Sequence, residues 1–207
     1  MTRTPRLARQ WLAATAGTAT LLGVAMLALS ACSGGSIADS NNAGNSGPSF
    51  VSSSYNSEYF APGSRSAAPA VAARTLTGQS FSLAADRGRV IVINFWGSWC
   101  SPCRAEAPAL AALARNFRAD PVRFLGDDVR DNATAARAFE RTFGVSYPSL
   151  NDPGEQVALE FHSTVPASAI PSTLVIDRSG RIAARVVGEI SYNGLRALIA
   201  KVVAEKT

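Results

Sequence analysis

The chain has 207 residues, 47% of them hydrophobic, and a formal net charge of +5. Arg3, Arg6 and Arg9 supply three of those charges, and the remainder forms no Lys/Arg stripe with interleaved aromatics, which argues against a nucleic-acid surface. Cys32 closes the leader segment and is read below as a lipidation site, which leaves two cysteines and a single histidine, His162, short of the four ligands a zinc site uses, so no metal is expected.

Residues 1–31 read as an export signal. Three arginines open the stretch, an apolar run from Trp11 to Leu29 follows, and small residues close it. Leu29-Ser30-Ala31-Cys32 resembles a bacterial lipobox, which implies a thioether lipid on Cys32 and cleavage before it. The competing reading is an uncleaved anchor, because about 19 apolar residues nearly span a bilayer. Both readings put the remainder outside the cytoplasm on the cell membrane, where disulfides persist. Residues 32–72, rich in Ser, Gly, Asn, Ala and Pro without helical or strand period, are expected to be a lipidated cysteine and a flexible tether. The folded domain is then expected over residues 73–207.

Within that domain, residues 75–83 read as a hairpin with Gly78 at its turn. Val90 to Phe95 is a continuous apolar run and predicts a buried strand. A helix is expected over 101–118, with Leu110, Leu113 and Phe117 at helical spacing. A second strand spans 121–125 and ends at Gly126-Asp127-Asp128. Asp131 or Asn132 caps a helix with Ala136, Phe139 and Phe143 on its inner face, stopped by Gly144 and Pro148. A short helix covers 157–161, and His162 is placed at a helix end or on the surface. Ser172 to Asp177 and Ile182 to Val187 flank Ser179-Gly180 as a hairpin. A last helix, capped by Ser191 or Asn193, turns Leu195, Leu198 and Val202 to one side. This order predicts an α/β domain with a central mixed β-sheet flanked by helices on both faces.

Cys100 and Cys103 stand where the buried strand turns into the first long helix. A Cys-x-x-Cys there reads as a dithiol/disulfide redox centre. The attacking species is a thiolate, and free cysteine ionises only near pH 8.5. Unpaired N–H groups and the dipole at a helix N-terminus lower that value for Cys100. Two intervening residues place both sulfurs on one helical face within disulfide reach. Pro102 suits the first turn, where its missing N–H is no loss. Cys100 is the expected nucleophile and Cys103 the resolving thiol. A purely structural disulfide is the competing reading, but so short a closure removes little entropy from the unfolded chain.

Trp96-Gly97-Ser98-Trp99-Cys100-Ser101-Pro102-Cys103-Arg104-Ala105-Glu106-Ala107-Pro108, with Phe124 to Asn132 and Ile170-Pro171-Ser172-Thr173-Leu174-Val175-Ile176-Asp177, resembles the exported, membrane-tethered TlpA/ResA (CcsX) family linked to cytochrome c biogenesis. The resemblance implies a thioredoxin-like fold over roughly 73–204 and a thiol–disulfide oxidoreductase whose only redox group is the Cys100–Cys103 pair, with no bound cofactor. It implies a cis peptide at Pro171 facing the dithiol. It implies substrate contacts from Trp99, Ser101, Pro102, Ile170 and Pro171, and a proton-handling role for Glu106. A solvated surface glutamate is the competing reading of Glu106. Asn94 stands where cytoplasmic thioredoxins keep a buried aspartate, and Pro108 falls inside the active-site helix. Partners implied are exported protein disulfides, apocytochrome c among them, and a membrane thiol carrier of the CcdA/DsbD type as electron donor, with the chain a monomer. Reduction of substrate is the leading direction and oxidation the alternative. The sequence departs from the family at Asp127, where a frayed strand end is expected, and at Ser168-Ala169-Ile170, where a glycine-bearing turn is usual. A peroxiredoxin, which shares the fold, would need a Pro-x-x-x-Thr-x-x-Cys context that is not present.

Overall fold

A computed structural model of the chain describes residues 56–205. The export signal, Cys32 and the first part of the expected tether lie outside them.

Six strands form one mixed sheet, in the order β1 (Asn56–Tyr59), β8 (Ile182–Val187), β7 (Ser172–Ile176), β4 (Val90–Trp96), β5 (Val122–Val129) and β6 (Ser149–Asp152). Its centre is β4 (Val90–Trp96), every residue of which is buried. Such a strand must be covered on both faces, and alternation of side chains sends its residues to two separate cores. Val90 and Val92 pack with Leu110 and Leu113 of α1 (Ser101–Asn116) and with Leu195, Ile199 and Val202 of α4 (Tyr192–Val203). Ile91, Ile93 and Phe95 face the other way, onto Val157, Ala158 and Phe161 around the short α3 (Gln156–Glu160) and onto Phe81 of a small hairpin. That hairpin pairs β2 (Ala72–Arg74) with β3 (Ser80–Ser82). Its turn needs Gly78, whose φ of 83° is left-handed.

On one side, β4 pairs in parallel with β5 (Val122–Val129), which in turn pairs in parallel with β6 (Ser149–Asp152). On the other side it runs antiparallel to β7 (Ser172–Ile176), which forms the expected hairpin with β8 (Ile182–Val187). α2 (Ala133–Phe143) is capped by the Asn132 side chain, which accepts from the Ala135 N–H at 3.0 Å, and closes at Gly144 in the left-handed conformation. Trp96 stacks on Phe139 of α2, with ring centroids 4.3 Å apart. Ser191 caps α4, accepting from the Gly194 N–H. His162 is exposed at the end of α3, its Nδ1 2.7 Å from the Leu159 carbonyl.

Three expectations change. The folded unit does not wait until residue 73, because β1 (Asn56–Tyr59) adds an edge strand antiparallel to β8. Arg65 then locks this segment down. Its side chain is 1% exposed, its Nε donates to the Phe60 carbonyl at 3.0 Å, and its guanidinium reaches Asp177 at 2.9 Å and Glu205 at 2.6 Å. Val71 is buried in the Phe95-side core. Next, β5 does not stop at Gly126 but continues to Val129, with Asp127 and Asp128 both 0% exposed. Pairing with β4 on one side and β6 on the other holds those residues in the ladder, so the strand end is not frayed. Finally, β6 was not anticipated: only four residues long, it shows two buried apolar or small residues and no run.

Candidate active site

The turn between β4 and α1 carries the dithiol. Cys100 is the N-cap of α1, with extended backbone (φ −84°, ψ 114°), and its Sγ accepts the Cys103 N–H at 3.2 Å. A sulfur therefore occupies the place where Ser, Thr, Asp or Asn usually satisfies an orphan helix donor. That donor and the helix dipole favour an anion on Cys100 over a neutral thiol. The two cysteines are joined in a disulfide, with Cα atoms 5.3 Å apart, and both are buried. Ser101 and Pro102 follow at the first helical positions and are exposed.

The Ile170–Pro171 peptide is cis, as the resemblance implies. Pro171 is buried, and its carbonyl accepts the Gly188 N–H at 2.8 Å, which ties the loop to the end of β8. Ile170 is half-buried and packs both against the cluster that contains Trp96, Cys100 and Cys103 and against the Phe95-side core. The turn before it, without glycine, closes through the Ala169 N–H on the Pro166 carbonyl at 2.8 Å and Ser172 Oγ–H on the Ala169 carbonyl at 2.6 Å. The cis-peptide loop thus leads into β7 at the end of the sheet where β4 leads to the dithiol, with Ser172 opposite Phe95.

Glu106 is not a surface residue. One turn beyond Cys103 on α1, it is 1% exposed and points into the sheet. Asn94 Nδ2–H donates to its Oε1 at 2.8 Å, and the Ile190 N–H donates to its Oε2 at 3.1 Å. Asn94 is itself held by Thr173 Oγ1 at 3.1 Å. Burial pushes the Glu106 carboxyl up to about 7; the two hydrogen bonds oppose that shift and the Glu189 charge adds to it. Desolvation wins, because two neutral donors replace only part of the hydration a carboxylate loses. The result is a carboxyl that changes charge near neutral pH within the same helical turn as Cys103.

Trp99 stands beside Cys100 with half of its surface open. Its neighbours come from the end of β5 and the residue after it, Val129 and Arg130. Asp131, expected as a possible helix cap, accepts the Ser98 N–H at 2.7 Å and so steadies the loop before the cysteines. Arg130 lies over the Trp99 ring. No spacing in the sequence ties residues 130 and 131 to residues 98 and 99; the parallel pairing of β4 with β5 does. Among the described residues no group of three or more His, Cys, Asp or Glu is placed to hold a metal ion.

Comparison with known proteins agrees with this geometry. A model of the AhpC/TSA family matches residues 65–185, beginning at the buried arginine of the early segment. The thiol:disulfide interchange protein HelX of Rhodobacter capsulatus is 33% identical over 127 residues, covering 60% of this chain and 68% of HelX. The thiol-disulfide oxidoreductase ResA of Bacillus subtilis is 29% identical over 124 residues, covering 60% of this chain and 67% of ResA. Among solved structures, a secreted thiol-disulfide isomerase from Corynebacterium glutamicum superposes with a TM-score of 0.68 at 30% identity, covering 72% of this chain and 92% of that one. A DsbF homologue from Corynebacterium diphtheriae gives 0.66 at 32% identity, covering 70% and 92%. With its thioredoxin-like sheet and a Cys-x-x-Cys at the head of α1, the chain belongs to the AhpC/TSA family and is a thiol–disulfide oxidoreductase of the ResA/HelX type.

Proposed function

We propose that the chain works outside the cytoplasm, held to the membrane through lipidated Cys32, as a monomeric reductant of polypeptide disulfides. Apocytochrome c haem-site cysteines are the substrate class, and a membrane thiol carrier of the CcdA/DsbD type supplies the electrons. The observation that carries this reading is the Cys100 sulfur in the capping position of α1 with an ionisable, buried Glu106 one turn past Cys103.

In the reduced enzyme, the Cys100 thiolate attacks one sulfur of the substrate disulfide. A mixed disulfide forms and one substrate thiolate leaves. Cys103 then gives its proton to Glu106 and attacks Cys100 Sγ, which closes the Cys100–Cys103 disulfide and releases the second substrate sulfur as a thiolate. Two electrons pass to the substrate, and the carrier returns them to the enzyme by the same exchange in reverse. Trp99, Ser101, Pro102, Ile170 and Pro171 surround the exchange and contact the substrate chain. Burial of both cysteines favours an internal proton acceptor over bulk water.

The deciding measurement is the equilibrium potential of the Cys100–Cys103 couple. A value near that of thioredoxin, about −270 mV, supports the reductant, and a value near that of a strong oxidant, about −120 mV, overturns it in favour of disulfide donation. For the anchor, Cys32→Ala should release the protein from the membrane fraction or leave its signal uncleaved; unchanged membrane retention with a processed N-terminus would refute lipidation.

A further inference from the structure

Trp99 is one of two large hydrophobic side chains left exposed among the described residues, at 51%. An open ring on a loop ordinarily samples several rotamers, yet this one is held on several sides. Its Nε1–H donates to the Val129 carbonyl at 3.2 Å. The Arg130 guanidinium sits 4.8 Å from the ring centroid. The ring also rests on Gly97, where a Cβ would come within 2.5 Å of the indole nitrogen.

Arg130 is fixed in turn by Glu155, with Nε 3.0 Å from Oε1. Arg130 and Glu155, with φ of 52° and 56°, are the two non-glycine residues of positive φ among those described, and they are paired with each other. Side-chain-bearing residues rarely adopt this backbone, and such outliers gather at ligand clamps and active sites. The ion pair alone does not explain them, since its side chains are 41% and 26% exposed and such pairs contribute little. What the two conformations achieve together is a guanidinium over the ring beside Cys100. Cys100 itself is only 4% exposed, so a substrate must find its contact area on neighbouring groups. A platform the size of an indole serves a substrate that extends past its own disulfide.

We propose that Arg130 is a positioning residue that, braced by Glu155, locks the Trp99 ring as a pre-set platform for the chain flanking a polypeptide disulfide, and thereby favours polypeptide over small-molecule disulfides. The proposal rests on Cys100 as the attacking thiol. A ring already ordered binds without losing rotamer freedom, and freeing one such side chain weakens binding by about 3–10-fold.

The test measures kcat and KM of the full chain for a disulfide-bonded octapeptide and for glutathione disulfide. Arg130→Gly suits a φ of 52°, so Tm should hold or rise while the ring loses its clamp. The octapeptide KM should rise about 3–10-fold with kcat and the glutathione disulfide kinetics unchanged. Glu155→Gln should shift KM in the same direction, and Arg130→Lys should restore part of the loss by keeping a cation over the ring. The fluorine resonance of 5-fluorotryptophan at Trp99, assigned with Trp99→Phe, should narrow in Arg130→Gly. An unchanged octapeptide KM in folded Arg130→Gly overturns the proposal. So does an equal rise for both substrates, or a shifted alkylation pKa of Cys100 at constant KM, which would place the effect of Arg130 on the thiol. A wild-type chain that reduces neither substrate overturns the reductant reading, and this proposal with it.

Discussion

Replacing Glu106 by glutamine separates the charge of this buried group from its shape. The wild-type carboxyl is raised by burial to about 7 in the fold from a starting value of 4.5. Because the folded value lies above the unfolded one, the native state holds this proton more tightly. The associated stability is fully present below about pH 4.5 and is lost as pH rises through about 7. Integrating between pH 5 and pH 8, the wild type should lose about 2–3 kcal/mol through this one group. Glutamine cannot ionise, so the variant should lack that component. It will not recover the whole amount at high pH. Asn94 and the Ile190 N–H both donate to Glu106, and an amide offers one carbonyl oxygen to two donors. The mismatched donor costs about 1–3 kcal/mol at every pH, so the variant should be less stable than wild type at pH 5 and should close the gap by pH 8. Urea unfolding of the oxidised protein at half-unit pH steps reads this directly as the difference between two curves. Asp127 and Asp128 contribute equally to both and cancel. Parallel curves for wild type and Glu106→Gln across pH 5–8 would refute the assignment of a near-neutral titration to Glu106.

Arg65→Leu should destabilise the fold by about 2–4 kcal/mol, since it leaves partly buried carboxylates without their cation. The hydrogen bond from Arg65 holds Glu205 below its ordinary value against its burial, so this stability is present above the unfolded carboxylate pKa and vanishes as pH falls through the folded one. Thermal unfolding at pH 7 and pH 3 should therefore show a large gap and then a small one; equal Tm at pH 7 would refute the clamp. Asp127→Val should stabilise. Asp127 is 0% exposed, both its oxygens lack a partner within the fold, and burial with Asp152 and Asp128 nearby pushes its carboxyl well up. A β-branched residue of similar volume suits the strand and removes an unmet polar group, worth about 1–3 kcal/mol. A lower urea midpoint at both pH 5 and pH 8 would refute this.

The parts legible in the sequence are those where one local signal suffices. β4 declares itself by an unbroken apolar run, the β7–β8 hairpin by Ser179-Gly180 between two such runs, and the dithiol by its two-residue spacing. β1 is hidden because an edge strand needs only one paired side, so Asn56-Ser57-Glu58-Tyr59 can be polar and still hold its ladder to β8. The sequence shortens β5 because two adjacent aspartates ordinarily mark an exposed strand end, whereas here both are 0% exposed. Glu106 could be placed on the Cys103 side of α1 from helical geometry, but its depth depends on Asn94 and Ile190, which lie 12 and 84 residues away. Arg130 and Asp131 were invisible as site residues for the same reason. Their relation to residues 98 and 99 exists only once β5 lies beside β4.

The register of β1 also decides which way the molecule presents itself. Asn56 lies opposite Val187, Val187 opposite Ser172, and Ser172 opposite Phe95, one row straight across the sheet. With strands about 4.8 Å apart, the chain joins the sheet about 14 Å from the strand end that leads to Cys100. α4 runs the other way and delivers Glu205 to Asp177 and Arg65 at the far pole. The described chain therefore enters the sheet on the dithiol side of the domain and ends, at Glu205, at the opposite pole.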